Sequence, residues 1–308
     1  MRAATFAGDL EDVFPLVPRH RPRGYELGAV RGAQRGLGSE VSGIRPYEPG
    51  DDVRKIDWAA SAKLSAARGS VEFVVREFDA DLAPRVVVVA DRRPGMGGYP
   101  PPWLSKRHAV DRVERLIVTS AHRARALVGL VAVHADEVVW RAPLARPSDE
   151  SAGRNDSRYP TNGEQLTRAM QVVLHERPVP AGSFVFVVSD FLAELPDAEL
   201  VAALSRRVDI VPVVVQDPTW EASFPAEVGG LVLSLADPGT GLPLDVRLTR
   251  VEARERRAVQ ESRYATLFER LLGLGLDPIA VNDDAPDTVL GAFLSWADER
   301  LIRAGQAA

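Results

Sequence analysis

A doubly wound α/β fold with a mainly parallel sheet is what three features of this 308-residue sequence predict. Arg85–Ala90, Phe184–Val188 and Ile210–Val215 are short, unbroken runs of β-branched and aromatic residues, the composition of strands covered on both faces. Segments of helical period lie between them. Each run stops at a carboxylate, Asp91, Asp190 or Asp217, and ligands of open parallel sheets sit beyond such carboxyl ends, near the point where the strand order reverses.

The elements follow in order. Residues up to about Pro46 are rich in Gly, Arg and Pro and read as an irregular arm with short strands. Within it Arg19, Arg21, Arg23, Arg31 and Arg35 face only Glu26, a run that reads as a solvated flank or a docking arm. Pro49-Gly50 suits the centre of a type II turn, with Asp51 or Asp52 capping a short helical turn after it. Ser70 to Phe78 alternates, with Val71, Phe73 and Val75 inward, as a half-buried strand. After the strand ending at Asp91, a helix is expected over Lys106 to Leu127, with Val110, Val113, Leu116 and Ile117 on one side. Strands Gly129–Val133 and Glu137–Trp140 flank a turn at His134-Ala135-Asp136, and a polar loop spans Pro143 to Pro160. Helices are expected at Gly163–Leu174 and Asp197–Arg206, and a hairpin over Gly230–Val246. A long helix (Val251–Leu272), a strand (Asp277–Val281) and a helix (Pro286–Ile302) close the chain. The expected division is an extension over 1–80 and an α/β domain over 81–308.

Composition narrows the function. The net charge of −5 argues against a general nucleic-acid binder, which must neutralise phosphates. Without cysteine there is no disulfide, thiolate metal site or cysteine nucleophile, which suits a reducing cytoplasm. No apolar run approaches the roughly 18 residues of a membrane helix, and no secretory signal opens the chain, so a cytoplasmic location is expected. No P-loop and no Gly-x-Ser-x-Gly elbow is present, and His20, His108, His122, His134 and His175 form no metal-binding pair.

One segment is distinctive. Arg45-Pro46-Tyr47-Glu48-Pro49-Gly50-Asp51-Asp52-Val53-Arg54-Lys55-Ile56-Asp57-Trp58, followed by Ser61-Ala62-Lys63, closely resembles the signature of the domain of unknown function 58 family. Its members are often encoded beside MoxR-type AAA+ ATPases. The resemblance covers roughly residues 40 to 217 and implies a von Willebrand factor A-like domain, a short form without membrane helices, and a MoxR-type ATPase as partner. Within the signature, Tyr47, Pro49, Gly50, Asp51, Asp52, Arg54, Asp57 and Trp58 have two readings. As structure, Arg54 and Lys55 pair with Asp51, Asp52 or Asp57 while Trp58 anchors the segment onto the domain. As function, Asp51, Asp52 and Arg54 form a partner contact.

The resemblance also implies where a divalent ion would sit. A-type domains hold one with Asp-x-Ser-x-Ser after the first strand, a Thr from a later loop and an Asp after a further strand, and magnesium favours such hard oxygen ligands. The corresponding positions are Asp91-Arg92-Arg93-Pro94-Gly95, Thr161 and Asp190. Both serines are absent and two arginines stand nearby. The expectation is a degenerate site without Mg2+, with an arginine forked on Asp91 or Asp190 or else turned to solvent. Tyr99-Pro100-Pro101-Pro102-Trp103 is a candidate lid, and Trp220 a second aromatic feature.

These observations converge on a non-enzymatic adaptor with Asp91, Arg92, Arg93, Thr161 and Asp190 as its contact rim. The alternatives are a metal-dependent hydrolase using the Asp91/Asp190 rim, or a purely structural subunit.

Overall fold

The computed structural model describes residues 12–19, 26–35, 41–82, 84–97, 104–133, 138–144, 165–192, 197–236 and 243–306. The amino-terminal portion contributes β1 (Glu26–Arg35), β2 (Val41–Pro46), α1 (Trp58–Arg68) and β3 (Val74–Leu82). Then come β4 (Arg85–Asp91), α2 (Lys106–Arg123), β5 (Leu127–Val133), β6 (Val138–Leu144), α3 (Gln165–Gln171) and β7 (Phe184–Ser189). The remainder is α4 (Asp197–Ser205), β8 (Asp209–Val215), β9 (Val232–Ala236), β10 (Pro243–Arg247), α5 (Arg250–Gly273), β11 (Ile279–Val281) and α6 (Pro286–Gln306).

The central sheet has six strands in the order β11-β8-β7-β4-β5-β6. All neighbours run parallel except β6, which returns antiparallel on β5. The chain builds outward from β4 in one direction through β5 and β6, then in the other through β7, β8 and β11. The order therefore reverses between β4 and β7, the switch point of a doubly wound sheet. Helices cover both faces. Val86, Val88 and Ala90 of β4 pack with α2 and α6, whereas Val87 and Val89 pack with α3 and α4. Every residue of β7 and β8 is buried, which is why these strands carry no alternation in sequence.

Three expectations change. The residues read as an irregular arm include part of the core: Phe14, Leu16 and Val17 are buried against α2 and α6. The Phe14 ring lies 4.7 Å from Phe293 and 6.1 Å from Phe186, and its amide donates to the Ser120 hydroxyl. Such a short apolar stretch between prolines has no period to reveal it. The second change is α1, a helix where no helical period stands in the sequence. Asp57 caps it by accepting from the Ala60 amide, and Gly69, at φ 67°, ends it. Its only buried residue is Ser61, so it lacks the apolar stripe that betrays most helices. The third is the register of β3. Val74 and Val75 are both buried, while Val71 and Phe73 are exposed. The cause is α1, whose Ser61 hydroxyl accepts from the Val74 amide and covers that side. The Pro49-Gly50 turn forms as expected, with Gly50 at φ 113° and the Asp51 amide donating to the Glu48 carbonyl.

The amino-terminal edge of the sheet is locked by charge. Arg300 of α6 forks onto Asp209 at 2.7 and 2.9 Å, reaches Asp277 at 2.8 Å and donates to the Val17 carbonyl. Arg19 binds Asp277 through its side chain and Asp209 through its amide, so it is a structural tie and not a solvated flank. Arg21 and Arg23 lie outside the described residues.

Breaking a buried pair on one side leaves an uncompensated charge, so Arg300→Met is expected to cost about 3–5 kcal/mol, read from urea unfolding at neutral pH. Burial opposes ionisation of Asp277, but Arg19, Arg303 and Arg300 outweigh it and hold its carboxyl below the usual range. A lowered folded pKa adds stability above the unfolded value and loses it as pH falls. Wild-type stability should therefore decline below about pH 4, and Arg300→Met should decline less steeply.

Candidate functional site

The switch point gathers the ends of three strands. Asp91 ends β4, Ser189 and Asp190 end β7, and Gln216 and Asp217 follow β8. All five are buried, Asp91 completely. Between Val-rich strands a carboxylate has no water to turn to, so each must find a donor inside the protein.

Asp91 finds four. Arg93 forks onto it through Nε, at 2.8 Å, and through Nη2, and its amide donates to Oδ1 at 3.1 Å. The Ser189 hydroxyl donates to Oδ2 at 2.7 Å. Asp190 receives the Lys106 ammonium at 2.8 Å and the Leu192 amide at 3.1 Å. The same Lys106 nitrogen lies 2.7 Å from Glu221. Asp217 caps the turn after β8, accepting from the Thr219 and Trp220 amides and, across the rim, from the Leu104 amide. Gln216 completes the network by donating to the Asp190 carbonyl and accepting from Arg263.

Electrostatics hold this arrangement in one protonation state. Burial alone would discharge Lys106, yet Asp190 and Glu221 more than reverse that and raise its pKa. For Arg93, burial is likewise outweighed by Asp91, so its charge is secured. Glu221 is the soft member, because burial pushes its carboxyl up against the pull of Lys106.

Three of the four described members of the expected rim, Asp91, Arg93 and Asp190, are therefore brought together, as buried side chains. Arg92 turns back onto α2, bridging Asp111 at 2.6 Å and Glu114 at 2.7 Å. The guanidinium that forks onto Asp91 is that of Arg93. The side chains of Asp91, Arg92, Arg93 and Asp190 are each at most 9% exposed. Thr161 lies outside the described residues, as do residues 98–103 with the candidate lid and the turn at His134-Ala135-Asp136. Lys106 and Glu221 join the site without a distinctive sequence motif. The available signal was a lysine at the start of an amphipathic helix and an acid four residues past a strand-end Asp, neither distinctive alone.

The residues present do not fit a divalent ion. Magnesium requires oxygen ligands with free lone pairs at about 2.0–2.1 Å in octahedral array. Both oxygens of Asp91 already accept from a guanidinium or hydroxyl, and Asp190 holds an ammonium. Two fixed positive charges stand at the rim where the ion would bind.

The signature segment forms a second, exposed site. Arg45 forks onto Asp51, holding its carboxyl down to about 2 with the help of the Glu48 amide. Asp52 caps the turn Val53–Lys55, and Arg76 pairs with Asp57 at 2.9 Å. The expected pairing of these acids with Arg54 and Lys55 is thus replaced by pairing with Arg45 and Arg76, which β2 and β3 bring alongside. Trp58 does not anchor the segment. It is 65% exposed and touches only Phe73 among the aromatic rings described, edge to face at 5.9 Å.

A sequence profile of the family described as "Protein of unknown function DUF58" matches residues 43–265. Uncharacterized protein Rv1480 of Mycobacterium tuberculosis is 26% identical over 243 residues, covering 75% of this chain and 74% of its own. Uncharacterized protein Mb1516 of Mycobacterium bovis matches at the same level. Among solved structures, the conserved hypothetical protein BatB of Bacteroides thetaiotaomicron superposes with a TM-score of 0.38 at 13% identity, over 70% of this chain and 100% of its own.

Two measurements check this geometry. Lys106→Met strands Asp190 and Glu221 and should cost about 3–5 kcal/mol at pH 7. The loss should be smaller at pH 5, because unpaired buried carboxyls titrate upward and take up protons as pH falls. In the signature, the Asp51 carboxyl should titrate near 2 by carbon-detected NMR and return toward about 4 in Arg45→Ala.

Proposed function

This chain belongs to the DUF58 family, and on that premise we propose that it is a non-enzymatic adaptor that binds a MoxR-type AAA+ ATPase during the maturation of a protein complex. The observation that supports this reading is the closed rim. A hydrolase working through Asp91 and Asp190, like metal-dependent adhesion, needs a carboxylate open to a substrate, water or ion at the switch point. Here Asp91 is engaged by Arg93 and Ser189, and Asp190 by Lys106. A hydrolase using Asp91 and Asp190 would have to expel a guanidinium and an ammonium from buried positions first.

The sheet order and strand-end rim suit an A-type domain whose ion has been replaced by tethered cations. Such a domain keeps the rigid scaffold of a binding module and loses the ion that a partner's carboxylate would complete. With no P-loop in the chain, energy for remodelling would come from the partner ATPase. Among the described residues no helix is long and apolar enough to cross a membrane.

The test pairs the purified chain with the MoxR-type ATPase encoded in the same genome. Binding by calorimetry, with a changed rate of ATP hydrolysis, is the expected result. In parallel, ester and phosphoester substrates are assayed with added Mg2+ or Mn2+. Turnover that disappears in Asp91→Asn or Asp190→Asn would overturn the adaptor reading in favour of the hydrolase.

A further inference from the structure

We propose that β10 is an interface strand, and that its occupant is β10 of a second copy of this chain, paired antiparallel about a two-fold axis at Val246. This goes beyond the adaptor reading and does not depend on it.

The ribbon of β9 and β10 is a sheet of its own, separate from the six-stranded one. Its base is fixed to the body. The Gly230 amide donates to the Leu248 carbonyl at 2.7 Å, and Gly229 lies so close to α5 that a Cβ there would stand 2.6 Å from the Arg250 Cα. The capping box of Thr249 and Glu252 starts α5 at that point. Beyond the base, β10 pairs with β9 on one edge and with no other strand among the described residues. A two-stranded ribbon is marginally stable in water, whereas three or more strands with an apolar face make a stable sheet. A free edge is a template for pairing with another chain.

The register sorts the side chains. Val246 stands opposite Leu233, Asp245 opposite Ser234 and Arg247 opposite Val232. Side chains alternate along a strand, so Leu233, Leu244 and Val246 share one face, and Val232, Ser234, Asp245 and Arg247 share the other. The aliphatic face is open to solvent at Leu244, which is 53% exposed, and Leu231, just before β9, is 58% exposed.

Charge selects the occupant and its register. Asp245 and Arg247 are exposed, stand two residues apart on one face, and make no ion pair among the described residues. In an antiparallel pair centred on Val246, Asp245 of each copy lies opposite Arg247 of the other, and Leu244 of each lies opposite Leu248 of the other. Two cross-strand ion pairs then form on one face and apolar pairs on the other. A register centred on Asp245 or on Arg247 sets like charges against each other. A register centred between two residues turns the two aliphatic faces to opposite sides. The Val246 register alone satisfies both conditions, and it is self-complementary, as a two-fold interface must be. The exposed face of β9, with Val232 and Ser234, carries no charge that could set a register in the same way.

The test follows the purified full-length chain by sedimentation velocity over a dilution series. The proposal expects a reversible dimer. Asp245→Arg sets arginine against arginine at both pairs and should weaken the dimer at least about tenfold, while Asp245→Arg with Arg247→Asp should restore it to within about threefold of wild type. Both positions are exposed, so the variants are expected to fold, which thermal melts verify. The chain has no cysteine, so a single introduced one reports the axis. Directly opposite residues stand about 4.5–5.5 Å apart, near disulfide reach, and residues four positions out of register do not. Val246→Cys should therefore oxidise to a covalent dimer, and Leu244→Cys should do so only when mixed with Leu248→Cys. A wild-type chain that stays monomeric, its ribbon left to a different protein, overturns the proposal. So does a dimer indifferent to Asp245→Arg, a dimer not rescued by the double reversal, or equal crosslinking at positions 244 and 246.

Discussion

The structure depends on a sheet whose central strands are covered on both faces. Strands β4, β7 and β8 are walled in by α2 and α6 on one side and by α3 and α4 on the other. Nothing along them can carry charge, since no water reaches them and no donor stands between the valines. Charge is expelled to the two ends, and each end is resolved in the same way, by a cation on a neighbouring element. At the amino edge Arg300 of α6 answers Asp209 and Asp277. At the carboxyl edge Arg93 and Lys106 answer Asp91, Asp190 and Glu221.

The two ends differ in what they tie together. The amino edge joins distant parts of the chain: Val17, Arg19, Asp209, Asp277 and Arg300 meet there, so the residues near the amino terminus are part of the domain and not an appendage to it. The carboxyl edge joins the strand ends to the start of α2 and to the turn after β8. That edge is where an open sheet of this type ordinarily exposes ligand-binding groups. Here the groups are present but turned upon one another.

Much of the sheet was legible because buried parallel strands leave unbroken β-branched runs, and because polar residues reappear at their ends. The strand-end acids Asp91, Asp190 and Asp217 were legible for the same reason. Less legible were features defined by what a residue meets in space. Helix α1 has no apolar period to find, because its single buried residue is a serine. Phe14 sits in a proline-rich stretch that looks irregular, yet its ring packs against Phe293 from the far end of the chain.

The sequence by itself determined the fold class, the order of strands and helices from β4 onward, and which carboxylates would stand at the strand ends, since burial and period are written locally along a chain. The tertiary structure alone decided which cation answers which acid. Arg93 and not Arg92 turns to Asp91, Lys106 reaches Asp190 and Glu221, and Arg45 and Arg76, not Arg54 and Lys55, take the acids of the signature. Pairing of charges depends on distances that close only when separate elements pack, and no spacing in the sequence records those distances.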